Sequence, residues 1–259
     1  MNGSGASFSA PRTFLNIYFT FKNFYKGAGI FVVAHLASLV KQIRASRPSA
    51  LLLDGGDTWQ GSATALWTNG QDMVDACKLL GVNLMTAHWE FTYGADRVKE
   101  IVGKDFKGSI EFLAQNVKTT DFEDPVFAPY SMRQMNGQSV AIIGQAFPYT
   151  PIANPRWMVP EWSFGIQDDR MQKIVDEVRA KGAKAVIVIS HNGMDVDLKL
   201  ASRVSGIDAI LGGHTHDGMP QPVIVSNGGG KPYRLKIRSC IRFSEHHRCA
   251  PLFFHHVFC

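Results

Sequence analysis

Apolar positions recur with two different periods along the middle of the chain. Leu36, Leu39, Val40 and Ile43 fall at helical spacing, and Pro48 ends that helix. A short apolar run, Ala50 to Leu53, follows and leads into the glycine-rich loop DGGDTWQGS. The spacing predicts a second helix over 71–80, with Met73, Cys77 and Leu80 on one face, and a third over 94–103. Residues 167–180 read as a longer amphipathic helix through Met171, Ile174, Val175 and Val178, and Leu198–Val204 as a short one. Between them lie Val82–Met85, Phe112–Val117, Val140–Ile143, Ala185–Ile189 (AVIVI) and Ile207–Leu211, which read as strands. Short apolar strands alternating with helices predict an α/β fold with a largely parallel inner sheet.

The two ends break this pattern. Residues 14–25 (FLNIYFTFKNFY) are crowded with aromatics and keep neither period, and they give no clean secretory signal. The tail 234–259 is equally aperiodic. The expected division is therefore 1–33 as an atypical segment, 34–231 as the core and 232–259 as an atypical basic tail, with both ends non-native in character.

Charge follows the same division. Of the formal net +5, residues 1–53 carry +6 and residues 231–259 carry +5, which leaves −6 on residues 54–230. The basic character belongs to the ends, so a nucleic-acid partner is not expected. At 259 residues and 45% hydrophobic the chain can bury a large core, and no stretch of about 18 uncharged apolar residues suggests a membrane span. The four Cys form no C-x-x-C pair, and the tail residues His246, His247, His255 and His256 match no zinc spacing.

Candidate chemistry sits where such a fold places its sites, beyond the carboxyl ends of strands. Asp57 follows the strand ending at Leu53, His88 the one ending at Met85, and His191 the one ending at Ile189. His214 and His216 follow the one ending at Leu211. One carboxylate and four imidazoles on one rim suit a transition metal such as Mn, Fe or Zn. If H-x-H is extended, His214 and His216 share a side and could face two neighbouring ions.

The motifs DGGDTWQGS, AHWEFTYG, SHNGMDVD and GGHTHDG together resemble the dinuclear metallophosphoesterases of the 5′-nucleotidase family. More narrowly, GDTWQG, HWEFTYG and GQAFPYTPIANPRW resemble the SoxB-type thiosulfohydrolases of sulfur oxidation, over about Ala34 to Lys231. The resemblance implies a metallophosphoesterase-type α/β/β/α layered sandwich, truncated at both ends, holding two divalent metal ions, with Mn the expected metal. It implies that Asp57 bridges the ions, that His88, His191 and His214 bind one of them, and that His216 binds the other. Trp89 takes the position of the nucleotidase catalytic His, which disfavours ordinary phosphomonoester chemistry because an indole cannot shuttle a proton near neutral pH. The implied substrate is a cysteine S-thiosulfonate on a SoxYZ-like sulfur-carrier protein, hydrolysed in the periplasm with release of sulfate; a nucleotide phosphoesterase and an inactive fragment are the alternatives. Asn192 and Asp217 adjoin ligands and are candidates for orienting them, and Asn116 for lining the site. Trp59, Trp157 and Trp162 are candidate pocket walls. For Glu90 and Asp54, loop hydrogen bonding is the expected role.

Three departures from the family stand out. The Asp-x-His motif that supplies two ligands to the first ion is absent, since residues 1–53 contain no Asp or Glu and His35 fits a helix pattern. Ala87 replaces a glycine before His88, which predicts strain in that turn. The family's later strands and its C-terminal domain are not expected past Lys231.

Overall fold

The computed structural model describes residues 29–217, 222–225 and 235–238, with side chains for 36–217 and 222–225. The expectations for residues 1–28, for Gly218 and for His246, His247, His255 and His256 lie outside the described residues.

Two sheets face each other between two helical layers. The first is parallel and three-stranded, in the order β1 (Leu53–Asp54), β2 (Leu84–Met85), β3 (Glu111–Phe112). The second contains β5 (Tyr130–Met135), β6 (Gln138–Gln145), β8 (Ala185–Ser190), β9 (Ala209–Gly212), β10 (Val223–Val225) and β11 (Leu235–Arg238), in the order β10-β11-β9-β8-β6-β5. Its four central strands are parallel and both edge strands run antiparallel. A small antiparallel pair, β4 (Lys118–Thr119) with β7 (Trp162–Ser163), lies apart.

Alternation along the strands builds the layers. Leu53, Leu84 and Leu113 from the first sheet pack against Ile142, Ile187, Ile189 and Leu211 from the second, forming the core between sheets. The neighbouring positions point the other way. Leu52, Met85 and Phe112 meet α1 (Gly29–Ser46) through Leu36, Val40 and Ile43, and α3 (Gln71–Leu80) through Val74 and Cys77. Ala141, Ile143, Val186 and Val188 meet α6 (Asp168–Ala180) and α7 (Met194–Arg203). Strands buried on both faces explain the continuous run AVIVI. The layering is the α/β/β/α sandwich that the resemblance implies.

The remaining helices are short: α2 (Ala63–Trp67), α4 (Ala95–Glu100), which continues as a wider turn over Ile101–Asp105, and α5 (Thr150–Ala153). Asp168 and Asp169 in the first turn of α6 and Arg179 in its last complement the helix dipole. Gly81, at φ 77°, closes α3, and Arg44 of α1 donates to the Leu80 and Gly81 carbonyls there.

The sheets come close together at Gly144. A Cβ there would lie 2.1 Å from the Leu113 carbonyl oxygen, so only glycine fits. The Gln115 N–H donates to the Gly144 carbonyl oxygen across this seam, at 2.8 Å.

The observed elements differ from the expected ones in several places. The strand expected over Phe112–Val117 is only Glu111–Phe112, because the chain then turns to bond the second sheet. The strand expected over Val140–Ile143 runs on to Gln145. Strand β5 forms a hairpin with β6 around Asn136–Gly137, both at positive φ. Within the tail, Leu235–Arg238 pairs in parallel with β9 and so extends the metal-domain sheet beyond Lys231.

Candidate metal centre

Asp57 leaves β1 on the loop 54–59, and several interactions hold that loop. Asp54 accepts from the Gly56 N–H at 2.9 Å and from the Thr58 hydroxyl at 2.8 Å. Gly56, at φ 91°, lies so close to Ala87 that a Cβ would come within 2.9 Å of the Ala87 Cα. The crowding expected at Ala87 is thus absorbed by Gly56: Ala87 itself is buried and keeps a negative φ. The Glu90 carboxylate accepts backbone N–H bonds from Asp57, Thr58, Trp59 and His88. Asp57 is held at φ 66° by this arrangement.

The loops after β1, β2, β8 and β9 bring Asp57, His88, His191 and His214 together, with one ligand atom from each within 4.8 Å of the others. Asp57 Oδ1 lies 3.1 Å from His88 Nδ1 and Oδ2 lies 3.2 Å from His191 Nε2, so both carboxylate oxygens face imidazoles. His191 Nδ1 lies 2.6 Å from the Gly55 carbonyl oxygen; donating there leaves Nε2, which faces Asp57, as the ring's ligand atom. Phe147, just past β6, packs on the rings of His88 and His214 at centroid distances of 3.9 and 4.4 Å.

The electrostatics suit a cation. Burial pushes the Asp57 carboxyl up, but His191 and then His88 outweigh it and hold Asp57 below the usual carboxylate range. Burial pushes the His191 imidazole down, and the Asp57 charge more than reverses that. Asp57 Oδ2 and His191 Nε2 are both buried and, although 3.2 Å apart, form no well-directed hydrogen bond with each other or with another group, a state that costs stability unless a further group satisfies them. A carboxylate with three imidazoles is a donor set for Zn, Mn or Fe, so these residues fit a divalent ion.

Not every candidate joins this group. His216 is half-buried and lies outside the four. His214 and His216 have φ of 80° and 57°, so the segment is not extended and the expected shared side is lost. Trp89 borders the cluster: its backbone N–H donates to Asp57 Oδ1 at 3.1 Å and its ring lies 4.8 Å from that of His88. The Asn192 amide is committed to Gln145 and Asp197, and Asp217 is exposed. Asn116 bonds both backbone groups of Ala146 and the Gly165 carbonyl oxygen, which makes it scaffold. Trp59 and Trp162 are core; Trp157 is exposed and lines a surface cavity with Tyr93 and Met158.

Sequence reasoning missed Phe147 and the Gly55 carbonyl. Phe147 was within reach of the strand-end rule had β6 been extended to Gln145. The Gly55 contact is made by backbone and leaves no residue signal.

No family model matches the chain. Similarity appears instead to individual proteins. The fold superposes on a sulfate thiohydrolase, SoxB, of Thermus thermophilus with TM-score 0.73 and 38% identity, covering 80% of this chain and 37% of that one. A 5′-nucleotidase precursor of Thermus thermophilus gives TM-score 0.68 and 29% identity, over 80% and 42%. The venom 5′-nucleotidase of Naja atra is 30% identical over 193 residues, 71% of this chain and 35% of its own length. Over this stretch the chain is similar to 5′-nucleotidases and to a SoxB thiohydrolase, and it shares their fold. It spans about a third of the length of the curated relatives it matches. Among the described residues no helix is long and apolar enough to cross a membrane.

Proposed function

We propose that the protein is a metal-dependent thiosulfohydrolase of the SoxB type, releasing sulfate from a cysteine S-thiosulfonate on a SoxYZ-like carrier protein in the periplasm. The observation that carries this reading is Trp89 beside His88 at the edge of the Asp57–His88–His191–His214 cluster. A nucleotidase places a proton-shuttling imidazole there. An indole has no proton to give at neutral pH, so the leaving group must depart unaided. The 38% identity to a sulfate thiohydrolase, against 29–30% to the nucleotidases, supports the same choice.

In the reaction, a water oxygen bonds to the sulfonate sulfur and the bond from that sulfur to its neighbour breaks. The carrier's persulfide leaves with the electron pair, sulfate departs, and the two water protons pass to solvent. A persulfide is a far weaker base than an alkoxide and needs no general acid. Asp57, His88, His191 and His214 would hold a divalent ion, manganese or a similar metal, which supplies activation of water and neutralisation of sulfonate charge. Gly55 keeps His191 in the tautomer that presents Nε2. Phe147 and Trp89 fix the His88 ring and exclude water from its faces. The proposal places Asn192 beside His191 as an orienting residue, fixed in turn by Gln145 and Asp197; Asp217 and His216 lie on the loop that borders the opening.

The test is to assay the full-length protein, loaded with Mn²⁺, for sulfate release from a thiosulfonate-charged carrier and for phosphate release from AMP. Sulfate without phosphate is expected. Phosphate without sulfate would make it a nucleotidase, and neither product would leave an inactive member of the superfamily.

A further inference from the structure

Glu90 is fully buried beside the metal group, and its bonding is unusual for a side chain. Oε1 accepts from the Thr58 N–H at 2.6 Å and the Trp59 N–H at 3.3 Å; Oε2 accepts from the His88 N–H at 2.7 Å and the Asp57 N–H at 3.2 Å. Two loops that follow different strands are therefore tied to one carboxylate. Each loop carries a residue of the candidate metal group, Asp57 on one and His88 on the other. Three successive N–H groups converging on an anion form a nest, and the left-handed φ of 66° at Asp57 belongs to that geometry.

We propose that Glu90 is a positioning residue that sets the spacing of Asp57 and His88 before any ion binds. The inference rests on the metal reading of the cluster. Its chemistry is one of counting. Four N–H donors fall on two oxygens, two on each, so both oxygens must accept. Glutamine has the same shape but only one accepting oxygen, and its NH₂ would face two backbone donors whichever way the amide is turned. Glu90→Gln therefore loses two of the four bonds and sets like groups against each other, without changing side-chain volume. Asp57 and His88 are then free to move apart while His191, held by Gly55, and His214 stay in place.

The experiment is a Co²⁺ titration of the full-length protein followed by visible absorption, alongside hydrogen exchange of the metal-free protein. Wild type should bind Co²⁺ with a spectrum of low-coordinate nitrogen and oxygen ligation. Glu90→Gln, once shown folded by circular dichroism, should bind about 10- to 100-fold more weakly, as substitutions behind metal ligands generally do, and with an altered spectrum. A variant with wild-type affinity and spectrum would overturn the positioning role even if its stability fell. A wild-type protein that takes up no Co²⁺ would overturn the metal reading, and this inference with it. Should Glu90→Gln fail to fold, the exchange data decide: the amides of Asp57, Thr58, Trp59 and His88 should be protected in metal-free wild type. Exchange that is fast without Co²⁺ and slow with it would show that the ion, not Glu90, sets the spacing.

Discussion

Asp197 is fully buried, and burial outweighs its hydrogen bonds from Ser190 and Asn192 to push its carboxyl up to about 7. The consequence for stability has a definite sign. Below pH about 4 the folded and unfolded chains both hold this proton. Between about 4 and 7 only the folded chain keeps it, so stability falls as pH rises and levels off once the folded group ionises. The three-unit gap corresponds to about 4 kcal/mol at most. Asp197→Asn keeps an acceptor for Ser190 and Asn192 and has nothing to titrate, so urea unfolding of the metal-free variant should vary less between pH 4 and 7 than wild type. An unchanged slope would place the titration elsewhere. His216 gives a second prediction: with its ring outside the cluster, His216→Ala should retain the ion held by the other four residues, as read by elemental analysis. Strand-end reasoning found Asp57, His88, His191 and His214 because each lies within a few residues of an apolar run. It took the segment His214–His216 as extended, because positive φ at 214 and 216 cannot be read from a histidine. Glu90 was legible as a loop acceptor, but not as the tie between two loops, since backbone N–H donors carry no letter in the sequence.

At the scale of elements, the seam between sheets depends on Gly144. A methyl group there would collide with the Leu113 carbonyl and force the sheets apart. Gly144→Ala should cost about 3 kcal/mol or more, as overpacking of a close-packed core does, measured as a lowered urea midpoint with an unchanged slope. A loss below about 1 kcal/mol would mean the seam is not rigid. The central strands β6 and β8 were legible because both faces are buried and the run is β-branched. Strand β5 was not: YSMRQM mixes exposed Gln134 with buried Ser131 and Met135 and has no β-branched residue. Its signal lay in the turn, where Asn136–Gly137 supplies the two left-handed positions of a tight hairpin. The two-residue strands β1, β2 and β3 are shorter than the apolar runs that announced them.

For the whole molecule, the layers predict a gradient of protection. Amides of Val186–Ile189 and Ala141–Gly144, bonded on both sides in the middle of the larger sheet, should exchange slowest, and those of the edge strands β5 and β10 faster. Edge amides as slow as central ones would contradict the strand order. The rigid sandwich presents its ligands from four strand ends, two in each sheet, so the metal centre straddles the interface between the sheets. Binding an ion there ties the two sheets together, and metal should raise the unfolding midpoint by an amount that grows with the logarithm of its free concentration above the dissociation constant.

The most direct measurement of the central claim is elemental analysis of the purified full-length protein beside its His191→Ala variant. The expected result is at least one Mn, Fe or Zn per wild-type chain and a loss of that ion in the variant, whose remaining ligands can no longer close around it. Equal metal content in the two proteins, or none in either, would contradict the assignment of Asp57, His88, His191 and His214 as a metal centre.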